Sequence, residues 1–172
     1  MGWPHTREGA IGAAAAYAKV LSTVWFLVDT NRRHQAVTAM AAPETRLELQ
    51  AAQDGIAAGV ARGPFGAGLA SGARSLLRIS LLGYRVDRYG PADAQIALWA
   101  VVIYGNDGGL APQALYATST LRLRWVGEDW KLLDAATVPG PVPVQGQATP
   151  SPAQDLVDAA QRFKEFDYAP AA

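Results

Sequence analysis

The chain has 172 residues, half of them hydrophobic and five of them tryptophan, with 15 basic and 15 acidic residues and no cysteine. This length and composition predict one folded domain with a substantial core. The missing cysteines exclude disulfides, thiol catalysis and cysteine metal sites, and the balanced charge gives no electrostatic reason to expect a nucleic-acid partner.

A long helix over residues 7–29, capped by Thr6, is the first predicted element. Residues 10–28 carry one charge, Lys19, so a membrane-spanning or signal segment is one interpretation. A central lysine and many alanines disfavour it. The large residues also form one stripe: Ile11, Ala14, Ala18, Leu21, Trp25 and Val28. We therefore expect an amphipathic helix that packs on one face.

Two more helices are predicted before any strand. Thr30 or Asn31 can cap a helix over 32–41, whose basic run at 32–34 is expected to face solvent. Pro43 suits the first position of a third helix. That helix carries Leu47, Ala51, Ile56 and Val60.

Residues 59–72 are rich in glycine but lack the Gly-Lys-Ser/Thr ending of a phosphate loop, and they follow a helix and not a strand. This pattern predicts a mobile connection.

The hydrophobic period then changes from that of helices to that of strands. Residues 74–88 switch apolar phase near Gly83, which predicts a bulge or a bend. Residues 95–104 form an apolar strand expected to be covered on both faces. Residues 106–109, Asn-Asp-Gly-Gly, predict a turn. In the next strand one set of alternating residues is expected to point inward: Leu115, Ala117, Ser119, Leu121, Leu123 and Trp125. Tyr116, Thr118, Thr120, Arg122 and Arg124 are expected to point outward.

A turn at 127–129 leads into the last strand, and Trp125 and Trp130 are expected to meet across it. The predicted fold class is α+β: N-terminal helices on a curved, mainly four-stranded antiparallel sheet, plus a C-terminal helix. The predicted organisation is a domain over 1–137, a proline-rich linker over 138–150, and a helix and tail over 151–172. The last begins with a capping box at Ser151 and has apolar residues at helical spacing, among them Phe163 and Phe166.

Helices followed by a sheet whose last hairpin reads Leu-x-Trp-x-Gly-x-x-Trp-x-Leu resemble the cystatin-like cone of the nuclear transport factor 2-like superfamily, over about residues 6–137. The opening Gly2-Trp3-Pro4-His5-Thr6-x-x-Gly9-Ala10 and the ending at 163–170 are similar to extracytoplasmic domains of actinobacterial conjugative elements. Those resemble the VirB-eight-type and TcpC-type assembly proteins of type IV secretion systems, in which a short cytoplasmic segment and one transmembrane helix precede the cone.

This resemblance implies a non-enzymatic structural subunit of a conjugative DNA-transfer apparatus. Its partners would be other copies of itself and other secretion-channel subunits, with no direct nucleic-acid contact and no cofactor. The protein would be extracytoplasmic, anchored to the cytoplasmic membrane through a segment absent from this chain. The alternatives are an accessory protein of a lipid-import system and a small-molecule-binding or isomerising cone enzyme.

The sequence offers few residues for chemistry inside such a cone. His5 and His34 have no partners in a metal or triad pattern, and three acids, Asp87, Asp93 and Asp134, are expected to be solvated at strand ends and turns. The inward residues Ile96, Leu98, Leu121 and Leu123 are aliphatic and predict a filled core. We therefore predict no catalytic, metal-binding or cofactor-binding residues. The residues predicted to contact protein partners are Trp3, Tyr116, Arg122 and Arg124.

Overall fold

Helices precede a sheet of four antiparallel strands, which confirms the predicted α+β class. A computed structural model describes residues 2–143 and 152–162. The helices are α1 (Arg7–Leu21), α2 (Val24–Val28), α3 (Thr30–Met40), α4 (Arg46–Ala61), α5 (Pro64–Ala70) and α6 (Ala153–Arg162), with a 3₁₀ turn at Pro43–Thr45. The strands are β1 (Ser75–Tyr89), β2 (Asp93–Asn106), β3 (Gln113–Val126) and β4 (Asp129–Pro139). Within the described ranges, no helix has both the length and the hydrophobicity needed to cross a membrane.

The sheet is a meander in the order β1-β2-β3-β4. The predicted bulge in β1 is confirmed, because the register shifts between Leu81 and Gly83. Leu81 pairs with Ala100 and Tyr84 pairs with Leu98. The bulge therefore places the alternating apolar residues before and after it on the same face of the sheet. A second shift follows between Val86 and Arg88.

The core lies between α1 and the inner face of the sheet. The four inward residues predicted to fill it, Ile96, Leu98, Leu121 and Leu123, are each at most 2% exposed. On α1 the facing residues Ala10, Ala13 and Ala14 are fully buried. Small side chains let the helix axis approach the strands closely, so the burial of apolar surface on both sides stabilises the fold.

The predicted continuous helix over 7–29 is wrong. The first helix ends at Leu21, and Thr23 caps the separate helix α2 by accepting a hydrogen bond at its hydroxyl from the N–H of Phe26. After the break the apolar residues no longer follow the predicted stripe. Phe26, outside the stripe, is buried, and Val28, its last member, is 58% exposed. The cap of α3 is Asp29, whose carboxylate accepts from the N–H of Arg32, in place of the predicted Thr30 or Asn31.

The predicted mobile connection at 59–72 is also wrong, since α4 ends and α5 lies within it. Pro64 starts α5 at a position where proline is favourable. A Cβ at Gly66 would lie 2.4 Å from Ala61 Cα, and one at Gly68 would lie 2.2 Å from Asn106 Nδ2. The glycines therefore permit close packing of α5 on α4 and on the end of β2.

The chain after β4 crosses the outer face of the sheet. Gly140, with φ +78°, turns it back. The Thr118 hydroxyl donates to the Gly140 carbonyl at 2.8 Å, and Trp99 Nε1 donates to the Pro141 carbonyl at 2.9 Å. Helix α6 packs on β1 and β2. Most of the predicted linker, and the predicted helix and tail from 163 onward, lie outside the described residues.

Candidate interaction surfaces

Residues 2–6, here called the N-terminal strap, bind the start of β4. The Trp3 N–H donates to Asp129 Oδ1 at 3.0 Å, and Trp130 Nε1 donates to the Pro4 carbonyl at 3.1 Å. Asp129 Oδ1 also accepts from the Trp130 N–H at 3.0 Å. Trp3, a predicted partner residue, is thus engaged in contacts with its own chain.

The strap packs against two glycines of α1. A Cβ at Gly9 would lie 2.0 Å from the Pro4 carbonyl oxygen, and one at Gly12 would lie 2.6 Å from the Trp3 ring. Any larger residue would force the strap away from the helix. This packing gives a structural reason for Gly9 of the opening motif, and for Gly12 one turn further on.

An aromatic cluster closes this end of the core. The rings of Trp125 and Trp130 meet edge to face with centroids 5.4 Å apart, which confirms the predicted cross-strand contact. His5 stacks on Trp125 with ring centroids 4.0 Å apart, and its Nε2–H donates a hydrogen bond to the Pro91 carbonyl. Tyr17, on α1, donates from its hydroxyl to the Trp130 carbonyl at 2.5 Å. Burial, and then the negative charge of Asp129, raise the pKa of Tyr17, so its hydroxyl stays a proton donor.

The structure places Tyr116, Arg122 and Arg124 along one strand, on the outer face of β3. Tyr116 is half-buried, and its carbonyl accepts from the Gly140 N–H at 2.8 Å. Arg124 forms an ion pair with Glu44 of the 3₁₀ turn at 2.6 Å. Arg122 is exposed. Trp3 lies on the opposite, inner side, over Gly12, so the four predicted residues do not form one surface.

Arg122 borders an open groove of about 500 Å³ on the outer face, which is also lined by Asp87, Arg88 and Gln95. Gln95 pairs in register with Arg88 on one side and with Arg122 on the other. Asp87 and Asp93, which the sequence predicts to be solvated, each form an ion pair with an arginine. A hydrogen bond from Arg85 lowers the pKa of Asp87, and Arg88 pairs with Asp93 at 3.0 Å. The groove is a mixed-charge strip suited to polar protein contacts.

Sequence reasoning missed a polar cluster between α3 and α4, in which Arg33 is buried and His34 and Asp54 are partly exposed. Arg33, predicted to face solvent, is 4% exposed. Its guanidinium donates to the carbonyls of Phe26 and Leu27 at the end of α2 and to Asp54 Oδ1 at 2.7 Å. The other Asp54 oxygen lies 2.8 Å from His34 Nε2. Hydrogen bonds from His34 and Arg33 lower the pKa of Asp54.

This cluster satisfies carbonyls that a helix end leaves without partners, and it joins α2, α3 and α4. Asp54 carries no sequence signal, because its partners lie a full helix earlier in the chain. Within residues 2–143 and 152–162, no group of three or more His, Cys, Asp or Glu side chains is placed to hold a metal ion.

No protein-family model matches the chain, and a search of curated proteins finds no significant match.

Proposed function

We propose that the protein is a non-enzymatic assembly subunit of a conjugative type IV secretion apparatus that acts through protein–protein contacts. The opening motif and the hairpin motif support this proposal by resemblance. The structural observation that supports it best is the filling of the inner face. Alanines of α1 and the Tyr17 ring occupy the space between helix and sheet, where a cone enzyme would bind its substrate.

The outer surface offers the chemistry for partner contacts. The exposed Arg122 guanidinium, next to Gln95 and Asp87, can donate and accept hydrogen bonds at the polar rim of an interface. We propose other secretion-channel subunits as its partners. The protein would act outside the cytoplasmic membrane and be anchored to it.

The experiment that tests this role is a mating assay with a donor strain that lacks the gene. We expect transfer of the conjugative element to fall by at least tenfold and to return when the wild-type gene is supplied. Undiminished transfer from the deletion strain would refute the proposed function, as would a stoichiometric small molecule found by mass spectrometry in the purified protein.

A substitution then tests the outer face. Arg122→Glu reverses the exposed charge in the groove, so we expect reduced transfer with an unchanged unfolding midpoint. Arg7→Glu, a charge reversal at an exposed position on α1, is the matched control and should transfer normally. Equal transfer by the two variants would remove Arg122 from the proposed interface.

A further inference from the structure

The solvent-facing side of α4 is unusual for a surface helix. Two large apolar side chains, Leu47 and Ile56, are 79% and 54% exposed and lie at its two opposite edges, because nine residues make two and a half helical turns. Ala51, Gly55 and Gly59 follow one another at intervals of four residues on the side between these two edges, and all three are exposed. Surface helices of soluble proteins normally present charged or polar residues on this side. We call these five residues the α4 outer face.

The fold itself does not require the two glycines of this face. A Cβ at Gly55 or Gly59 would meet no atom of the described residues within 4 Å, in contrast to Gly9, Gly12, Gly66 and Gly68, which are all in close contact. Glycine inside a helix is less favourable than alanine. The two exposed glycines leave room for another backbone to approach the helix closely at this point.

Two charges frame the α4 outer face. Glu48 and Arg62 lie seven residues before and seven residues after Gly55, so both are on the same side of the helix, two turns from its middle. Neither has an ion-pair partner within the described ranges. This arrangement is self-complementary for a second α4 that runs in the opposite direction.

We infer that α4 packs antiparallel against α4 of a second copy of this chain, about a two-fold axis near Gly55. Gly55 then faces Gly55 and Ala51 faces Gly59, so the helix backbones approach closely. Glu48 of each copy lies beside Arg62 of the other, while Leu47 and Ile56, at the two edges of the contact, each lose part of their exposed apolar surface. The inference rests on the proposed assembly role and specifies which surface serves self-association.

The test is analytical ultracentrifugation of the purified chain across a concentration series. We expect a monomer–dimer equilibrium for the wild type and at least a tenfold weaker dimer for Glu48→Arg and for Arg62→Glu. The double variant Glu48→Arg/Arg62→Glu restores the opposite charges and should regain most of the affinity. Glu128→Arg, on the exposed β3–β4 turn, is the control and should dimerise like the wild type.

Disulfide trapping gives a second readout, because the chain contains no cysteine. Gly55→Cys places one thiol at the proposed axis and should form covalent dimers under mild oxidation, whereas Glu128→Cys should not. A wild type that stays monomeric at every concentration would overturn the inference, and so would dimers insensitive to both charge reversals or a monomer that sediments with lipid vesicles. If the purified protein is monomeric but deletion of its gene still abolishes transfer, only this interface is refuted. If the protein dimerises as expected but deletion of its gene leaves transfer unchanged, only the proposed function is refuted.

Discussion

Asp129 shows how much of the structure depends on a single carboxylate. One oxygen accepts the N–H groups of Trp3 and Trp130, and the other accepts from Lys131 Nζ at 3.0 Å. The side chain is almost buried, so its charge is balanced by these donors and not by water. The residue therefore fixes the strap, the hairpin and the first residues of β4 relative to one another.

At the residue scale, replacing a helical glycine by alanine should change stability in opposite directions in α1 and in α4. Gly9→Ala places a methyl group against the Pro4 carbonyl, so we expect the free energy of unfolding to fall by about 1–3 kcal/mol. Gly59→Ala has free space and should raise it by up to about 1 kcal/mol. Urea denaturation at low protein concentration measures both. A destabilised Gly59→Ala together with an unaffected Gly9→Ala would contradict the described contacts.

Asp54 predicts a specific pH dependence. The pKa of Asp54 is lower in the folded chain than its ordinary value of 3.8. Its contribution to the free energy of unfolding is therefore fully present at pH values well above 3.8. As the pH falls below about 3.8, the unfolded chain binds the proton first, and the contribution to stability is lost down to the folded pKa. We expect Asp54→Asn to flatten the acid side of a stability profile measured from pH 6 to pH 2. The exposed Glu128→Gln should leave the profile as it is, and an unchanged Asp54→Asn profile would exclude this linkage.

At the element scale, local patterns predicted the strands better than the helix ends. Alternation of residues located β3, and the phase change in β1 located its bulge, because side-chain facing in a strand depends on near neighbours. The break after Leu21 was missed because hydrophobicity continues across it and only the capping geometry of Thr23 ends the helix. Helix α5 was missed for another reason. Its glycines face α4 and Asn106, and those contacts are set by tertiary packing.

Packing of α5 on the sheet should be sensitive to Gly68. A methyl group there would meet the buried Asn106 amide, so we expect Gly68→Ala to lower the free energy of unfolding by about 1–3 kcal/mol and to speed hydrogen exchange in α5. At Gly63, just before α5, the nearest atom to a Cβ is 3.5 Å away. Gly63→Ala should therefore have a small effect, and equal exchange rates in the two variants would count against tight packing of α5.

At the scale of the whole molecule, strap, α1 and hairpin share one core, so a change in the strap should affect global unfolding. Trp3→Ala removes a large ring that packs on this core, and we expect a loss of about 2–4 kcal/mol. Circular dichroism and tryptophan fluorescence should report the same transition. Tyr84→Ala, at a residue that is 61% exposed, should cost much less. Normal stability of Trp3→Ala with lost partner binding would instead support the sequence-based prediction of a contact residue.

The candidate site was predictable only in part. The outward position of Arg122 follows from strand alternation, but the pairing of Arg124 with Glu44 joins residues 80 positions apart, and no pattern along the chain indicates it. Leu47, Ala51 and Ile56 of the α4 outer face are recognisable in the sequence as apolar residues of the third predicted helix, but their exposure is not, because burial cannot be inferred from spacing alone.

The strap has a mechanical consequence in the anchored arrangement proposed above. A load applied to the chain before Gly2 would enter the domain within a few residues, through the Trp3–Asp129 hydrogen bond and the Pro4 contact with Gly9. It would be carried by α1 and the β3–β4 hairpin, which are joined by the Tyr17–Trp130 hydrogen bond. The strap would therefore transmit such a load directly to the two elements that enclose the core, and α4 would lie outside this path.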